Sequence, residues 1–352
     1  MDRIVEQKKI EDHHQSPEQE LNEVISDARW FPLKFDVDRE HFQFVFIPDS
    51  ILRDAPFIRT VELGKLKSRI ISYSAISDAA IDSYKLNLIL HSSQGGSTLL
   101  TKALGEPGVV TPLQEPPILT DVIAYGLRRS PSEIQALLGH VTRLASRPYP
   151  GDEAVVCKVS HIGNGLSIQM AETHPASKML CLDTPLEEML SSYAAYGAEG
   201  RRAARKLHIG IKNSHMLAVA FPEEKYPEFI DLQLAALSWL SMRKMMLEAA
   251  AKLGAGRVRA ISSRHLFETP RETLAAVAGH FGVQLDVEQR LASGIFDRHA
   301  KTGEPFNARQ RAERTVERLK VHRDEIEPVV EWTRKVAQST GVDWDLPYPL
   351  LD

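Results

Sequence analysis

The pattern of apolar and polar positions divides the chain into stretches of different character. Residues 1–28 are polar and mixed in charge, with few apolar positions to bury, and read as a frayed or weakly helical arm. Residues 29–83 carry alternating segments, Phe42-Gln43-Phe44-Val45-Phe46-Ile47 and Arg69-Ile70-Ile71-Ser72-Tyr73. Their period of two predicts short strands in an N-terminal appendage. From residue 84 the pattern changes to short apolar runs separated by helical periods. Residues 86–90, 109–113, 154–159 and 179–182 read as strands. Strands alternating with helices predict a parallel sheet covered on both faces, an α/β architecture. That unit is expected over residues 84–312, with a helical C-terminal segment at 313–352.

Helix boundaries are written in the local chemistry. Ser130-Pro131-Ser132-Glu133, Thr184-Pro185-Leu186-Glu187 and Thr269-Pro270-Arg271-Glu272 each place a hydroxyl at an N-cap and Pro at the first helical position. Each also puts Glu where it can reach back to the cap amide. Gly282 is expected to close the helix that begins near Pro270. Residues 227–253 read as one long helix with an apolar face through Phe229, Leu232, Leu237, Leu240 and Leu247, stopped by Gly254. Its methionines, Met242, Met245 and Met246, read as core filler.

Composition narrows the function classes. A chain of 352 residues allows about two domains, or one large α/β domain with elaborations. The net charge of −4, from 43 Lys and Arg against 47 Asp and Glu, argues against a protein that coats nucleic acid. It leaves room for a local basic pocket around a small anion. No stretch approaches the ~20 apolar residues of a membrane span, and the polar N-terminus has no export-type apolar segment. A cytoplasmic protein is expected. The two cysteines, Cys157 and Cys181, lie in apolar runs and read as reduced packing residues. His13, His14, His174, His208 and His215 lack metal-ligand spacing, and HExxH and paired CxxC are absent, so no metal site is expected. The absence of GxSxG removes the serine-hydrolase elbow.

The most informative segment is His91-Ser92-Ser93-Gln94-Gly95-Gly96-Ser97-Thr98-Leu99-Leu100, between a predicted strand and a predicted helix. Open α/β sheets bind ligands at the carboxyl ends of their strands. Gly95 and Gly96 let backbone wrap an anion, the amides of the following helix point at it, and Ser97 and Thr98 add hydroxyl donors. The loop is not a Walker A motif, because Gly96 stands where its Lys would be.

This segment resembles the phosphosulfate-binding loop of the P-loop sulfotransferases, a family whose donor is 3′-phosphoadenosine 5′-phosphosulfate. Gly96-Ser97-Thr98-Leu99-Leu100 matches the later part of the motif, with Gln94 in place of its basic residue. Further segments follow in the family's order. Val155-Val156-Cys157-Lys158-Val159-Ser160-His161 is similar to its strand ending in Lys-Thr-His, with one residue inserted. Lys178 to Pro185, continuing to Ser191, is similar to its 3′-phosphate segment, with Ser191 kept and Asp183 at the Arg position. Residues 259–282 are similar to its late strand and helix, and 296–303, with Arg298 and Lys301, to its C-terminal basic loop.

The resemblance implies a three-layer P-loop fold with a central, mostly parallel sheet. It also implies sulfuryl transfer to a hydroxyl or amine acceptor, without a metal. Gln94, Gly95, Gly96, Ser97, Thr98, Ser191, Arg298 and Lys301 would hold the donor, and Lys158 and His161 would serve the transfer. A Lys among Val155, Val156, Cys157 and Val159 is expensive to bury without an anionic partner, which independently favours a role for Lys158. Glu115, after the second strand, is the alternative base. With Gln94 and Asp183 uncharged or acidic, compensating cations are expected from Lys158, Arg298, Lys301 or the run Arg201, Arg202 and Arg205. Two other readings stay open. One is a degenerate P-loop protein that binds a nucleotide or partner without transfer. The other is a phosphotransferase in which Asp183, ending an apolar strand, holds Mg²⁺.

Overall fold

Among the described residues, eight strands form two sheets in the computed structural model, which describes residues 16–61 and 63–351. Residues 1–15 of the polar arm, with His13 and His14, lie outside the described residues. The first sheet is antiparallel, in the order β1 (Trp30–Asp36), β2 (His41–Phe46), β3 (Ser68–Ser72). The second holds β4 (Leu86–His91), β5 (Val110–Gln114), β6 (Ala154–Lys158), β7 (Met179–Asp183) and β8 (Val258–Ser262) in the order β5-β6-β4-β7-β8. Every neighbouring pair in it is parallel.

All residues of β4 are buried, as a central strand covered on both faces requires. Alternate side chains feed separate cores. Leu86, Leu88 and Leu90 enter the core that also holds the helices Ile118–Gly126 and Pro131–Ala145, on which β1 packs, while Ile89, Val156 and Leu180 share a core with the helices Ser97–Leu104 and Pro270–Phe281. Pro112 has no N–H to give a second neighbour, and its strand, β5, is an edge strand. Asn87, a polar side chain in the middle of β4, is satisfied by Lys178 N–H (3.1 Å) and the Phe281 carbonyl (3.3 Å). A third core is helical and joins Leu186–Ala195, Gly197–Asn213, Asp231–Leu253 and Arg323–Thr340.

The order places β4 in the middle, with β5 and β6 to one side and β7 and β8 to the other. The connection reverses there, and such a switch point opens a crevice beyond the strands' carboxyl ends.

Several local expectations are corrected. Residues 17–26 of the arm form a helix with a Ser16–Gln19 capping box and bury Val24 completely. The long helix begins at Asp231, because Pro227 sits in a separate 3₁₀ turn, Glu223–Glu228, and cannot extend an α-helical ladder. Phe229 therefore leaves that helix and packs against Phe221 and Trp332. Met242, Met245 and Met246 are buried in it. Ser130 forms the expected capping box, but Thr269 does not cap Pro270–Phe281 and bonds the His265 carbonyl instead (3.2 Å). Gly282 ends that helix with φ +63°. One helix, Ala308–Val321, runs across the expected boundary at 312. The chain end returns to the free edge of β8, where Leu350 N–H donates to the Ala260 carbonyl (2.7 Å). Cys157 and Cys181 are free and buried. Among the described residues no helix is long and apolar enough to cross a membrane.

Arg147 holds the N-terminal helix to the body. Its buried guanidinium donates to the carbonyls of Val24 (2.7 Å), Ile25 (2.8 Å), Trp30 (3.0 Å) and Leu144 (2.9 Å). Arg147→Ala leaves these carbonyls without donors, and each buried unsatisfied group costs roughly 1–3 kcal/mol. With water reaching some of them, a loss of about 3 kcal/mol in urea unfolding is expected. Arg147→Lys should rescue little, because a single ammonium lacks the planar fork.

Candidate functional site

The loop after β4 is held in a conformation that few sequences tolerate. Ser93 (φ +74°), Gln94 (φ +54°) and Gly96 (φ +82°) all lie in the left-handed region. That region costs a non-glycine residue of order 1–3 kcal/mol and persists only where surroundings enforce it. Thr184 supplies the enforcement. Its hydroxyl donates to the Ser93 carbonyl (2.8 Å) and its amide to Ser92 Oγ (2.7 Å), while Trp239 Nε1–H donates to its carbonyl (2.8 Å). The expected N-cap role of Thr184 is therefore not realised: Leu186–Ala195 starts with no side-chain cap. A Cβ at Gly95 would overlap the Thr184 hydroxyl, and one at Gly96 would lie 2.7 Å from Phe267. Gly96 caps Ser97–Leu104 without a side chain, leaving the first-turn amides open to a ligand.

His91 ties the loop to β6. Its Nδ1 accepts from Ser93 N–H (3.2 Å), so the proton sits on Nε2, which donates to the Val159 carbonyl (3.1 Å). Burial, with the Lys158 charge beside it, pushes this imidazole down to about 3. His91 is neutral and structural.

Lys158 ends β6 with a side chain that is 1% exposed. Its Nζ lies 2.8 Å from Glu115 Oε1 and donates to Thr98 Oγ1 at 3.0 Å. Burial pulls the ammonium below its ordinary range, and Glu115 opposes that shift. Burial also works against the Glu115 carboxylate, yet Lys158 holds it below the usual range. Glu115 adopts φ +50° at the end of β5, its N–H bonded to the Lys158 carbonyl (2.8 Å). His161 is half-buried at the edge of the same cavity, and burial lowers its pKa, which favours a neutral imidazole.

These groups surround a cavity of about 260 Å³. Gln94, Gly95, Gly96, Ser97 and Thr98 line it together with Glu115, Lys158 and His161. Arg298 and Lys301, on the C-terminal loop, close it from another side. Ser191 does not reach it: its hydroxyl is buried on its own helix, donating to the Glu188 carbonyl (2.9 Å). Asp183 is also turned away. Its carboxylate takes Arg243 Nη2 (2.6 Å) and Ser92 Oγ (3.3 Å), and burial raises its pKa despite that pairing. The run expected to supply charge is spent elsewhere, with Arg201 paired to Glu325 (2.7 Å) and Arg205 to Asp231. Arg202 is exposed and lines no part of the cavity.

Two groups of residues were not singled out in the sequence. Phe57 and Arg59, from the N-terminal appendage, form a wall of the cavity. Nothing local marks them, because they become neighbours of the loop only when the two sheets pack. Arg311, Arg314 and Arg318 line a second cavity of about 190 Å³, which shares Gln94, His299, Phe306 and Arg311 with the first. Their spacing of three and four residues puts them on one helix face, and that signal was available in the sequence.

The fit of Gly95 against Thr184 predicts a coupled pair of substitutions. Gly95→Ala overpacks the loop and should cost roughly 1–3 kcal/mol. Thr184→Ala should cost about 1 kcal/mol for the lost hydrogen bond. The double variant should be more stable than the sum, because the first substitution's clash is with the hydroxyl that the second removes. Chemical unfolding of the four proteins measures this coupling, and strict additivity would refute it.

No protein-family model matches the chain, and no curated protein matches it. Among solved structures, the sulfotransferase domain from the curacin biosynthetic pathway is 14% identical, over 76% of this chain and 100% of that one, with a TM-score of 0.43. The sulfotransferase domain of the Synechococcus PCC 7002 olefin synthase is 14% identical, over 76% of this chain and 98% of that one, with a TM-score of 0.41. A sulfotransferase from Alicyclobacillus acidocaldarius is 14% identical, over 68% and 96%, with a TM-score of 0.36. The chain is similar to these three, each a sulfotransferase by description.

Proposed function

We propose that the protein is a sulfotransferase using 3′-phosphoadenosine 5′-phosphosulfate and a small hydroxyl or amine acceptor, with the transfer written below for a hydroxyl. The observation that carries this reading is the buried Lys158 ammonium bonded to Thr98 at the mouth of a loop with open helix amides. A fixed cation and oriented amides at one point favour a phosphate-bound anion. The donor supplies an activated sulfuryl group. As the acceptor oxygen bonds to sulfur, the bond from sulfur to the donor's phosphate oxygen breaks, and the electron pair leaves with the phosphate. Lys158 and the amides of Ser97 and Thr98 stabilise the charge that gathers there. His161, neutral at the cavity edge, takes the acceptor's proton. Glu115 fits the base role less well, because Lys158 lowers its basicity and the carboxylate is engaged with that ammonium at 2.8 Å.

The second cavity answers the charge problem raised by Asp183. In this reading Arg311, Arg314 and Arg318 meet the donor's 3′-phosphate, in place of a basic residue after β7. The phosphotransferase alternative loses its main support, since the Asp183 carboxylate is engaged by Arg243 and Ser92.

Titration calorimetry with adenosine 3′,5′-bisphosphate in EDTA tests donor binding, which should need no Mg²⁺. Lys158→Ala should weaken it about ten- to a hundredfold, the worth of one charge-assisted contact. Arg314→Ala should weaken the bisphosphate roughly tenfold while affecting adenosine 5′-monophosphate little, since only the former carries the 3′-phosphate. Absence of binding, or ATP binding that requires Mg²⁺, would sink the proposal.

Turnover has its own signature. His161→Ala should reduce it by ~10²-fold or more with donor affinity retained. The base must be deprotonated, and its pKa lies below the ordinary imidazole value of 6.5. Activity should therefore be retained at pH 6.5 and fall only as pH drops further, and that acid limb should vanish in the His161→Ala profile.

A further inference from the structure

The cavity wall beside Lys158 has a composition of its own. Phe57 precedes the 3₁₀ turn Ile58–Thr60, whose Ile58 is fully buried and anchors the segment. Three cations converge on the Phe57 ring: Lys158 Nζ at 4.7 Å, the Arg59 guanidinium at 4.8 Å and Lys301 Nζ at 5.6 Å. The ring face attracts each of them, but they repel one another. Glu115 is the carboxylate beside them, and its hydrogen bond goes to Lys158. Arg59 approaches it only to 4.0 Å, beyond hydrogen-bond reach, and its side chain is 61% exposed. The guanidinium thus has its donors free, and it lies close enough to lower the pKa of His161.

An acceptor whose hydroxyl meets His161 has its remainder against this wall. With Lys158 and Lys301 given to the donor, a cationic acceptor would still meet the like charge of Arg59 there. An anionic one would find a free planar fork that matches a carboxylate with two parallel hydrogen bonds, beside an aromatic face for its apolar part.

We infer that Phe57 and Arg59 form the acceptor subsite, and that the acceptor is a hydroxyl compound bearing a carboxylate or similar anionic group. Arg59 holds that group and sets the specificity. This rests on the sulfotransferase reading for the position of the reacting hydroxyl, and it narrows the acceptor by excluding amines. The appendage is then part of the site and not an ornament of the fold.

The test uses three phenols that differ only in charge: 4-hydroxyphenylacetate, 4-hydroxyphenylacetamide and tyramine. Each is titrated into the full chain with and without saturating adenosine 3′,5′-bisphosphate. The carboxylate should bind at least tenfold tighter than the amide, and tyramine weakest. Arg59→Ala and Arg59→Gln should bring the carboxylate-to-amide ratio near one, and Arg59→Lys should keep part of it. Because the ratio is taken within one variant, any general loss of affinity cancels. Phe57→Leu should weaken all three phenols together. A carboxylate that binds no tighter than the amide, that does not bind, or that keeps its advantage in Arg59→Ala overturns the inference. Failure of adenosine 3′,5′-bisphosphate to bind is a separate result: it refutes the sulfotransferase reading, whereas the charge preference at Arg59 is read in the nucleotide-free titrations.

Discussion

An ammonium taken out of water must be given a partner, and Lys158 is where this requirement shapes both fold and site. It stands at the carboxyl end of β6, beside the central strand β4 and next to the edge strand β5. Glu115, at the end of β5, satisfies its charge at 2.8 Å, and Thr98, at the start of the helix after β4, takes a hydrogen bond. Two neighbouring strands and the loop after β4 are therefore pinned to one buried point. A lone buried ion pair is weak support for stability, since desolvation offsets much of its attraction. The pair's structural consequence is positional: it holds an ammonium at the edge of the cavity. Strain at Ser93, Gln94 and Glu115 clusters around the same point, which accords with backbone held for a purpose beyond packing.

Charge in the site is redistributed in a way that makes local sense. Asp183 ends β7, where Arg243 from the long helix pairs with it and stacks on Trp239 at 4.2 Å. Ser92 and Thr184 convert that end of β7 into a clamp on the loop backbone. The cations that face the cavities come from the chain's other regions: Arg59 from the appendage, Arg298 and Lys301 from the C-terminal loop, and three arginines from the helix Ala308–Val321. That helix buries no residue completely; Leu319 packs on the helical core while Arg311, Arg314 and Arg318 line the second cavity.

Much of the fold was legible because its signals are local. The β4, β6 and β7 runs are apolar enough to announce buried strands, and the Gly95-Gly96 turn announces the passage from strand to helix. The candidate catalytic groups were legible for the same reason: Lys158 in an apolar strand and His161 just after it stand out by context. Where the local signals misled, a tertiary partner had taken the group. Thr184 has the form of a cap, but its hydroxyl donates to the Ser93 carbonyl and no side chain accepts from the amides of the following helix. Ser191 has the spacing of a ligand residue, but its hydroxyl is satisfied by its own helix.

The sequence by itself determined the strand and helix alternation, the glycine turn and the burial of a lysine, because each follows from periodicity, φ requirements and desolvation within a few residues. It did not determine which cations serve the cavity. Arg201 and Arg205 look like an anion site in sequence and are consumed by Glu325 and Asp231, whereas Arg59 lies in an unmarked segment and faces the cavity. Only the packing of the appendage onto the α/β unit, and of the helix Ala308–Val321 against Leu186–Ala195, decided this. Charge acts through space, and its partners are set by which elements the hydrophobic cores bring together.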